Sequence, residues 1–348
     1  MARLRRVDCA GIGITRRRRG RGFEYLDSGR RVTDAEVLER IRALVIPPAW
    51  EEVWICPYPM GHIQATGMDV AGRKQYRYHD RWRERRDAQK FDTMVDFARV
   101  LPRVRDRVNE DLAHDGMSRE RVLAGAVRLL DRGFFRIGSE GYAEQNETYG
   151  LATIRKDHVR VRDGAVAFDY VAKGRKRQVH QMIDADLLVL VETLKRRRGG
   201  GPELLAYKRG GRWTDVKSAD INDYLKQATG GDFSAKDFRT WNATVLAAIA
   251  LSVSAGAAGG TKTARKRAIK RAIDEVAHYL GNTPAVCRAS YIDPRVFDRY
   301  NGRLTISGVL PELAAETGSW PSLHRSVEEA VLDLLEDDRD SYAVEKAA

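Results

Sequence analysis

The chain has 348 residues, 43% of them apolar, enough for two domains with their own cores. No apolar run is long enough to span a membrane, and Met1-Ala2-Arg3-Leu4-Arg5-Arg6 lacks the apolar stretch of a signal peptide, so no membrane partner is expected. A net charge of +12 favours a polyanionic partner, nucleic acid above all. The body is more basic than that total, because Glu328, Glu329, Asp333, Glu336, Asp337, Asp338 and Asp340 crowd the end. Cys9, Cys56 and Cys287 are widely spaced, which predicts free thiols in a reducing, cytoplasmic compartment.

Residues 1–22 contain Arg16-Arg17-Arg18-Arg19, and such a block predicts a solvated, flexible basic arm. Residues 23–88 read as a small strand-rich domain. Thr33-Asp34-Ala35-Glu36 opens a short amphipathic helix that stops at Pro47-Pro48. Short strands follow, separated by turns at Pro59-Met60-Gly61 and Ala71-Gly72. The last, Lys74-Gln75-Tyr76-Arg77-Tyr78, puts Tyr76 and Tyr78 on one face. Those tyrosines either pack inside or lie on DNA, where aromatics interleaved with basic and amide side chains are suited.

Residues 89–315 change to helical periodicity, and 316–348 read as an acidic helical tail. Ser118 starts a helix that Gly133 closes, followed by Phe134-Phe135-Arg136-Ile137-Gly138. An arginine between aromatic and aliphatic neighbours sits at the edge of a core, which holds it firmly. Residues 151–181 alternate in a three-strand meander with Lys173 at a hairpin tip. That lysine is either an exposed turn residue or one that reaches into a groove. Ser234-Ala235-Lys236-Asp237-Phe238-Arg239 opens a strongly apolar helix through Val253, before a flexible connector at 255–260. A cation in a helix's first turn meets the positive end of the helix, so Arg239 more plausibly serves an anion.

A basic amphipathic helix then ends at Leu280. Gly281 suits its C-cap, Thr283 can cap a short second helix with Pro284 in its first turn, and Asp293-Pro294 repeats that signal. Tyr291 lies near the end of the short helix, with Asn282 about a helix length upstream. Arg136, Arg239, Asn282, Lys173 and Tyr291 together meet the needs of phosphoryl transfer. The phenol, with an ordinary pKa of about 10, loses a proton as it attacks. The arginines offer paired donors to the phosphoryl oxygens, Asn282 offers a neutral one, and Lys173 protonates the leaving oxygen. No His/Asp/Glu group has metal-ligand spacing and no nucleotide-binding glycine loop occurs, so neither metal nor cofactor is expected.

In this set the chain resembles the type IB DNA topoisomerases, most closely the small bacterial and poxviral branch. The resemblance covers roughly residues 23–305. It is carried by Ile46-Pro47-Pro48-Ala49-Trp50, Gly61-His62-Ile63-Gln64-Ala65-Thr66-Gly67, Gly72-Arg73-Lys74-Gln75-Tyr76-Arg77-Tyr78, Phe135-Arg136-Ile137-Gly138, Asn146-Glu147-Thr148-Tyr149-Gly150-Leu151, Lys173-Gly174, Lys236-Asp237-Phe238-Arg239-Thr240 and Ser290-Tyr291-Ile292-Asp293-Pro294. It implies an α+β protein: a strand-rich N-terminal DNA-binding domain and a mainly helical catalytic domain with a three-stranded meander, clamping duplex DNA as a C shape. It places Tyr291 as nucleophile, Lys173 as general acid, and Arg136, Arg239 and Asn282 on the phosphate. The family's usual residue at the last place is histidine, and asparagine there removes any proton-donating role. Arg73, Lys74, Gln75, Tyr76, Tyr78 and Tyr142 are implied to touch DNA. The implied reaction is relaxation of supercoiled DNA through a 3′-phosphotyrosyl link, without ATP or metal, by a nucleoid-associated monomer.

Two rival readings remain. Tyrosine recombinases usually carry a histidine three residues before the second arginine, where this chain has Lys236, and their N-terminal module is helical. A non-catalytic DNA-binding protein would satisfy the charge and the Tyr76/Tyr78 strand equally well.

Overall fold

The computed structural model describes residues 3–257, 261–315 and 325–346, apart from the side chains of Tyr142, Ala257 and residues 313–315. The chain divides into two compact units, Met1–Phe91 and Asp92–Ala348.

The first unit is an antiparallel sheet with one covering helix. Its elements are β1 (Ile14–Arg19), β2 (Gly22–Asp27), β3 (Arg30–Arg31), α1 (Ala35–Ala43), β4 (Glu51–Ile55), β5 (Ile63–Met68) and β6 (Lys74–Tyr78). The strand order is β3-β2-β1-β4-β5-β6. Asp34 caps α1 by accepting from the backbone N–H groups of Glu36 and Val37. Ile41 of α1 packs with Ile14, Val53, Ile55 and Ala65 from the sheet. The alternation of apolar and polar residues along the strands thus turns one face to the helix.

The basic block is not a free arm. Arg16–Arg19 belong to β1 and pair with β2 across the turn at Gly20-Arg21. Arg16 donates to the carbonyl oxygens of Pro47 at 3.1 Å and Trp50 at 2.5 Å, and its guanidinium lies over the Phe23 ring. Arg17 pairs with Glu24 across the hairpin. Charge density marked these residues as solvated; Arg17, Arg18 and Arg19 are exposed, but their backbone is paired in β1 and Arg16 is half-buried.

A long helix, α2 (Asp80–Ala113), spans the division at Phe91/Asp92. The second unit continues with α3 (Arg119–Gly133), α4 (Glu140–Asn146), β7 (Val159–Arg162), β8 (Ala165–Ala172), β9 (Lys176–Met182), α5 (Ala185–Arg196), β10 (Ala206–Arg209), β11 (Arg212–Asp215), α6 (Ser218–Thr229), α7 (Ala235–Ala257), α8 (Lys262–Leu280), α9 (Pro284–Ser290), α10 (Pro294–Asn301), β12 (Leu304–Thr305), α11 (Leu310–Ala315), α12 (Arg325–Glu336) and β13 (Glu345–Lys346). Strands β7-β8-β9 form the expected meander. Helix α7 is apolar nearly all round, as a helix must be when neighbours surround it. It packs against α3, α6, α8, α10 and α12. It runs through Ala257, beyond the start of the expected connector at 255–260, and residues 258–260 lie outside the described residues.

The acidic end is part of this unit rather than a tail. Val327, Ala330, Val331, Leu334 and Leu335 of α12 are buried. Glu328 is buried too, accepting from Arg105 of α2 and from Trp241 Nε1 of α7 at 2.9 Å. Glu336 and Asp337 pair with Arg99 and Arg299. Strand β13 pairs with β12. Three acids of this run, Glu328, Glu336 and Asp337, are partners of arginines far away in sequence. Residues 316–324 and 347–348 of the expected tail lie outside the described residues.

Candidate active site

Local sequence signals set the frame around Tyr291. Gly281, at φ +63°, ends α8 in the left-handed region that glycine tolerates. Thr283 caps α9 through the Val286 N–H, with Pro284 in the first turn. Asp293 caps α10 through the Arg295 N–H, ahead of Pro294. Tyr291 stands at the C-cap of α9, its N–H donating to Cys287 O at 2.9 Å.

Arg136 is held by packing on one side and backbone on the other. Phe135 is fully buried, edge-on to Phe168 at 5.0 Å and stacked on Tyr170 at 6.1 Å. Burying such a ring stabilises its segment by about 1.5–3 kcal/mol. The carbonyl oxygens of Arg136 and Ile137 accept from Leu151 and Ala152 N–H, both at 2.7 Å. Gly138 and Gly150 cross so closely that a Cβ on Gly150 would lie 2.5 Å from the Gly138 Cα. Gly150, Leu151 and Ala152 therefore grip the Arg136 loop. The Arg136 guanidinium donates to Gly281 O at 3.3 Å and to Asn282 Oδ1.

Arg239, the fifth residue of α7, is only 4% exposed. It donates to Leu280 O at 2.9 Å and to Phe134 O, and its guanidinium carbon lies 5.2 Å from the Tyr291 ring centroid. Burial and the neighbouring Arg136 lower its pKa to about 10. Its Nε is buried and meets no acceptor, and the same is true of Asn282 Nδ2. Lys173 occupies the β8–β9 tip, where Gly174 and Arg175 turn the chain at positive φ, and Lys176 beside it donates to Asn282 O at 3.3 Å.

These residues share one cleft of about 670 Å³, lined by Arg136, Lys173, Arg239, Asn282 and Tyr291 together with Thr148, Tyr149 and Lys236. Burial works to raise the Tyr291 phenol, but the charges of Arg239 and Arg136 outweigh it, so the phenol lies below its ordinary value. Hydrogen bonding from Arg239 acts in the same direction. The Asn282 amide favours the phenolate as well. Thr148, Tyr149 and Lys236 were not picked out as cleft residues by sequence. Lys236 had a signal, since it stands one turn ahead of Arg239.

The other expected DNA contacts, apart from Tyr142, lie in the first unit. Tyr76 and Tyr78 are 42% and 40% exposed and stack at 5.9 Å, so they are surface residues and not core. Lys74 lies over the Tyr76 ring. Gln75 and Arg73 instead both donate to Asp69 Oδ2, at 2.9 and 3.0 Å, and Arg77 donates to Leu44 O. The side chain of Tyr142 lies outside the described residues.

A family model described as "Eukaryotic DNA topoisomerase I, catalytic core" matches residues 79–306, and one described as "Bacterial DNA topoisomerase IB, N-terminal domain" matches residues 22–69. The chain is 30% identical over 287 residues to the DNA topoisomerase 1B of Acanthamoeba polyphaga mimivirus, covering 80% of this chain and 85% of that protein. It is 21% identical over 273 residues to the DNA topoisomerase I of Monkeypox virus, covering 76% of this chain and 81% of the other. The DNA topoisomerase 1 of Rabbit fibroma virus is 23% identical over 238 residues, 67% of this chain and 70% of the relative. With an antiparallel sheet at its N-terminal end, a mainly helical remainder, and family matches along both, this chain belongs to the type IB DNA topoisomerases, small viral- and bacterial-like enzymes that act on duplex DNA.

Proposed function

We propose that the chain relaxes supercoiled DNA by opening one strand with Tyr291. The Tyr291 oxygen bonds to phosphorus and the P–O5′ bond breaks. The phenolic proton leaves to solvent, and the Lys173 ammonium gives a proton to the departing 5′-oxygen. The products are a 3′-phosphotyrosyl link and a free 5′-hydroxyl. The downstream duplex swivels about the intact strand, and the 5′-hydroxyl attacks back to reverse every transfer. One ester replaces another, so the cycle needs no ATP.

The supporting observation is the cleft that gathers Tyr291, Arg239, Arg136, Asn282 and Lys173, with the guanidinium of Arg239 over the nucleophile's ring. Charge develops on the non-bridging oxygens in the transition state. Arg239 Nε and Asn282 Nδ2 are buried donors still without acceptors, suited to those oxygens. Losing one such donor costs roughly 10²–10³-fold in rate. With the charge supplied by guanidinium groups, the reaction calls for no metal. Asn282 donates a hydrogen bond and does not titrate, unlike a histidine. Tyr76, Tyr78 and Lys74 form the DNA-facing surface of the first unit, while Gln75 and Arg73 reach DNA only by leaving Asp69. The working form is a monomer, acting on chromosomal DNA.

Relaxation of supercoiled plasmid in EDTA without ATP tests this reading. Wild type relaxes the plasmid and Tyr291→Phe does not. A Phe variant as active as wild type would overturn the assignment, and a trapped adduct on the 5′ end would overturn the polarity.

A further inference from the structure

The nucleophile's place depends on more than its own helix. Tyr291 leaves α9 with φ −131° and ψ −29°, and its backbone must turn at once into the Asp293 cap of α10. At that turn stands Thr244, which is fully buried on α7. Its Oγ1 accepts from the Asp293 N–H at 3.1 Å, donates to Thr240 O at 2.9 Å, and lies 3.4 Å from Tyr291 O. The Tyr291 and Ile292 N–H groups both point to Cys287 O within α9, and Thr244 ties this turn to α7. The same α7 carries Arg239 five residues earlier, and Arg239 in turn grips Leu280 O at the end of α8.

We infer that Thr244 is a positioning residue for strand cleavage: its hydroxyl fastens the Tyr291 turn to the helix that carries Arg239, fixing nucleophile and guanidinium relative to each other. This rests on Tyr291 being the nucleophile. Thr244 itself touches neither substrate nor the reacting atoms. The β-branched shape fills its place in the core, but only the hydroxyl gives the buried Asp293 N–H an acceptor. A valine would keep the volume and lose the joint.

The experiment measures single-turnover covalent adduct formation on a duplex oligonucleotide, together with DNA affinity and thermal unfolding, for wild type, Thr244→Val, Thr244→Ser and Tyr291→Phe. A displacement near 1 Å at a reacting group costs about 10²-fold. Thr244→Val is expected to slow adduct formation roughly 10- to 100-fold while DNA affinity stays within about twofold, the split that misplacement of a nucleophile gives. Thr244→Ser restores the hydroxyl and is expected to recover most of the rate. A folded valine variant that cleaves as fast as wild type overturns the inference, as does a folded serine variant as slow as valine. Should valine fail to fold, Thr244→Ala measured against Thr244→Ser at low temperature decides by the same criteria. A wild type that forms no adduct, or a Tyr291→Phe protein that does, overturns the nucleophile assignment instead, so the two failures are distinct.

Discussion

Arg239 lies with its guanidinium carbon 5.2 Å from the centre of the Tyr291 ring while donating to Leu280 O at 2.9 Å. The backbone bond keeps the arginine in place, so its charge acts on the phenol as a fixed feature of the fold. Burial alone would make Tyr291 a weaker acid, and this arginine, with Arg136, reverses that sign.

Cleavage should therefore depend on pH in a way Arg239 controls. Lowering the phenol's pKa enlarges the phenolate fraction at neutral pH, so the single-turnover rate should rise with pH and level off below the free-phenol value of about 10. In Arg239→Gln the rate should fall by about 10²-fold or more, and the midpoint should move upward. Superimposable pH profiles for the two proteins would disprove this electrostatic link.

The Arg136 loop should be sensitive to a single methyl group. In Gly150→Ala the new Cβ would meet the Gly138 Cα at 2.5 Å and Arg136 O at 2.7 Å, all backbone atoms. Overpacking of this kind costs about 1–3 kcal/mol. Denaturant titration should show that loss, and adduct formation should drop more than DNA binding. Unchanged stability would mean the two segments can separate freely.

Removal of one carboxylate should show that α12 is integral to the catalytic unit. Glu328→Ala takes away the acceptor of Trp241 Nε1 and one of the two carboxylates around Arg105, whose other partner is Asp131 at 2.9 Å. Breaking a buried pair costs about 3–5 kcal/mol, and the retained Asp131 places the expected loss near the lower end. Thermal unfolding measures it. A shift within about 0.5 kcal/mol, the range of ordinary surface changes, would return α12 to the status of an appendage.

His180 should make part of the protein's acid sensitivity. Burial, assisted by Arg239, lowers its pKa to about 4, against about 6.5 in an unfolded chain. Between those values the unfolded chain binds the extra proton, so stability is full above pH 6.5 and falls as pH drops towards 4. At about 1.4 kcal/mol per pH unit the loss is bounded near 3 kcal/mol. The urea midpoint of His180→Asn should fall less between pH 7 and 4.5 than that of wild type. Equal drops in both proteins would assign the sensitivity elsewhere.

Much of the frame was legible because its signals are local. Gly281, Thr283-Pro284 and Asp293-Pro294 delimit short helices through capping and fixed dihedrals, and these stand where the residues predict. The meander and Lys173 at its tip follow from alternation and turn residues in the same way. One misreading took charge as a sign of solvation, and another took the acidic end as a tail. Arg16 is a strand residue bonded to Pro47 and Trp50, and Glu328 is buried against Arg105 and Trp241. A charge run does not reveal whether its partners lie 30 or 220 residues away.

The sequence by itself determined the family, the residue types of the candidate site and the caps and turns that present them, because each is written in neighbouring residues. Only the tertiary structure decided that Arg239 sits over Tyr291, that Gly150 pins the Arg136 loop, and that Thr244 joins α7 to the turn after Tyr291. Those relationships depend on the distance between chain segments brought together by packing, and no local pattern encodes it.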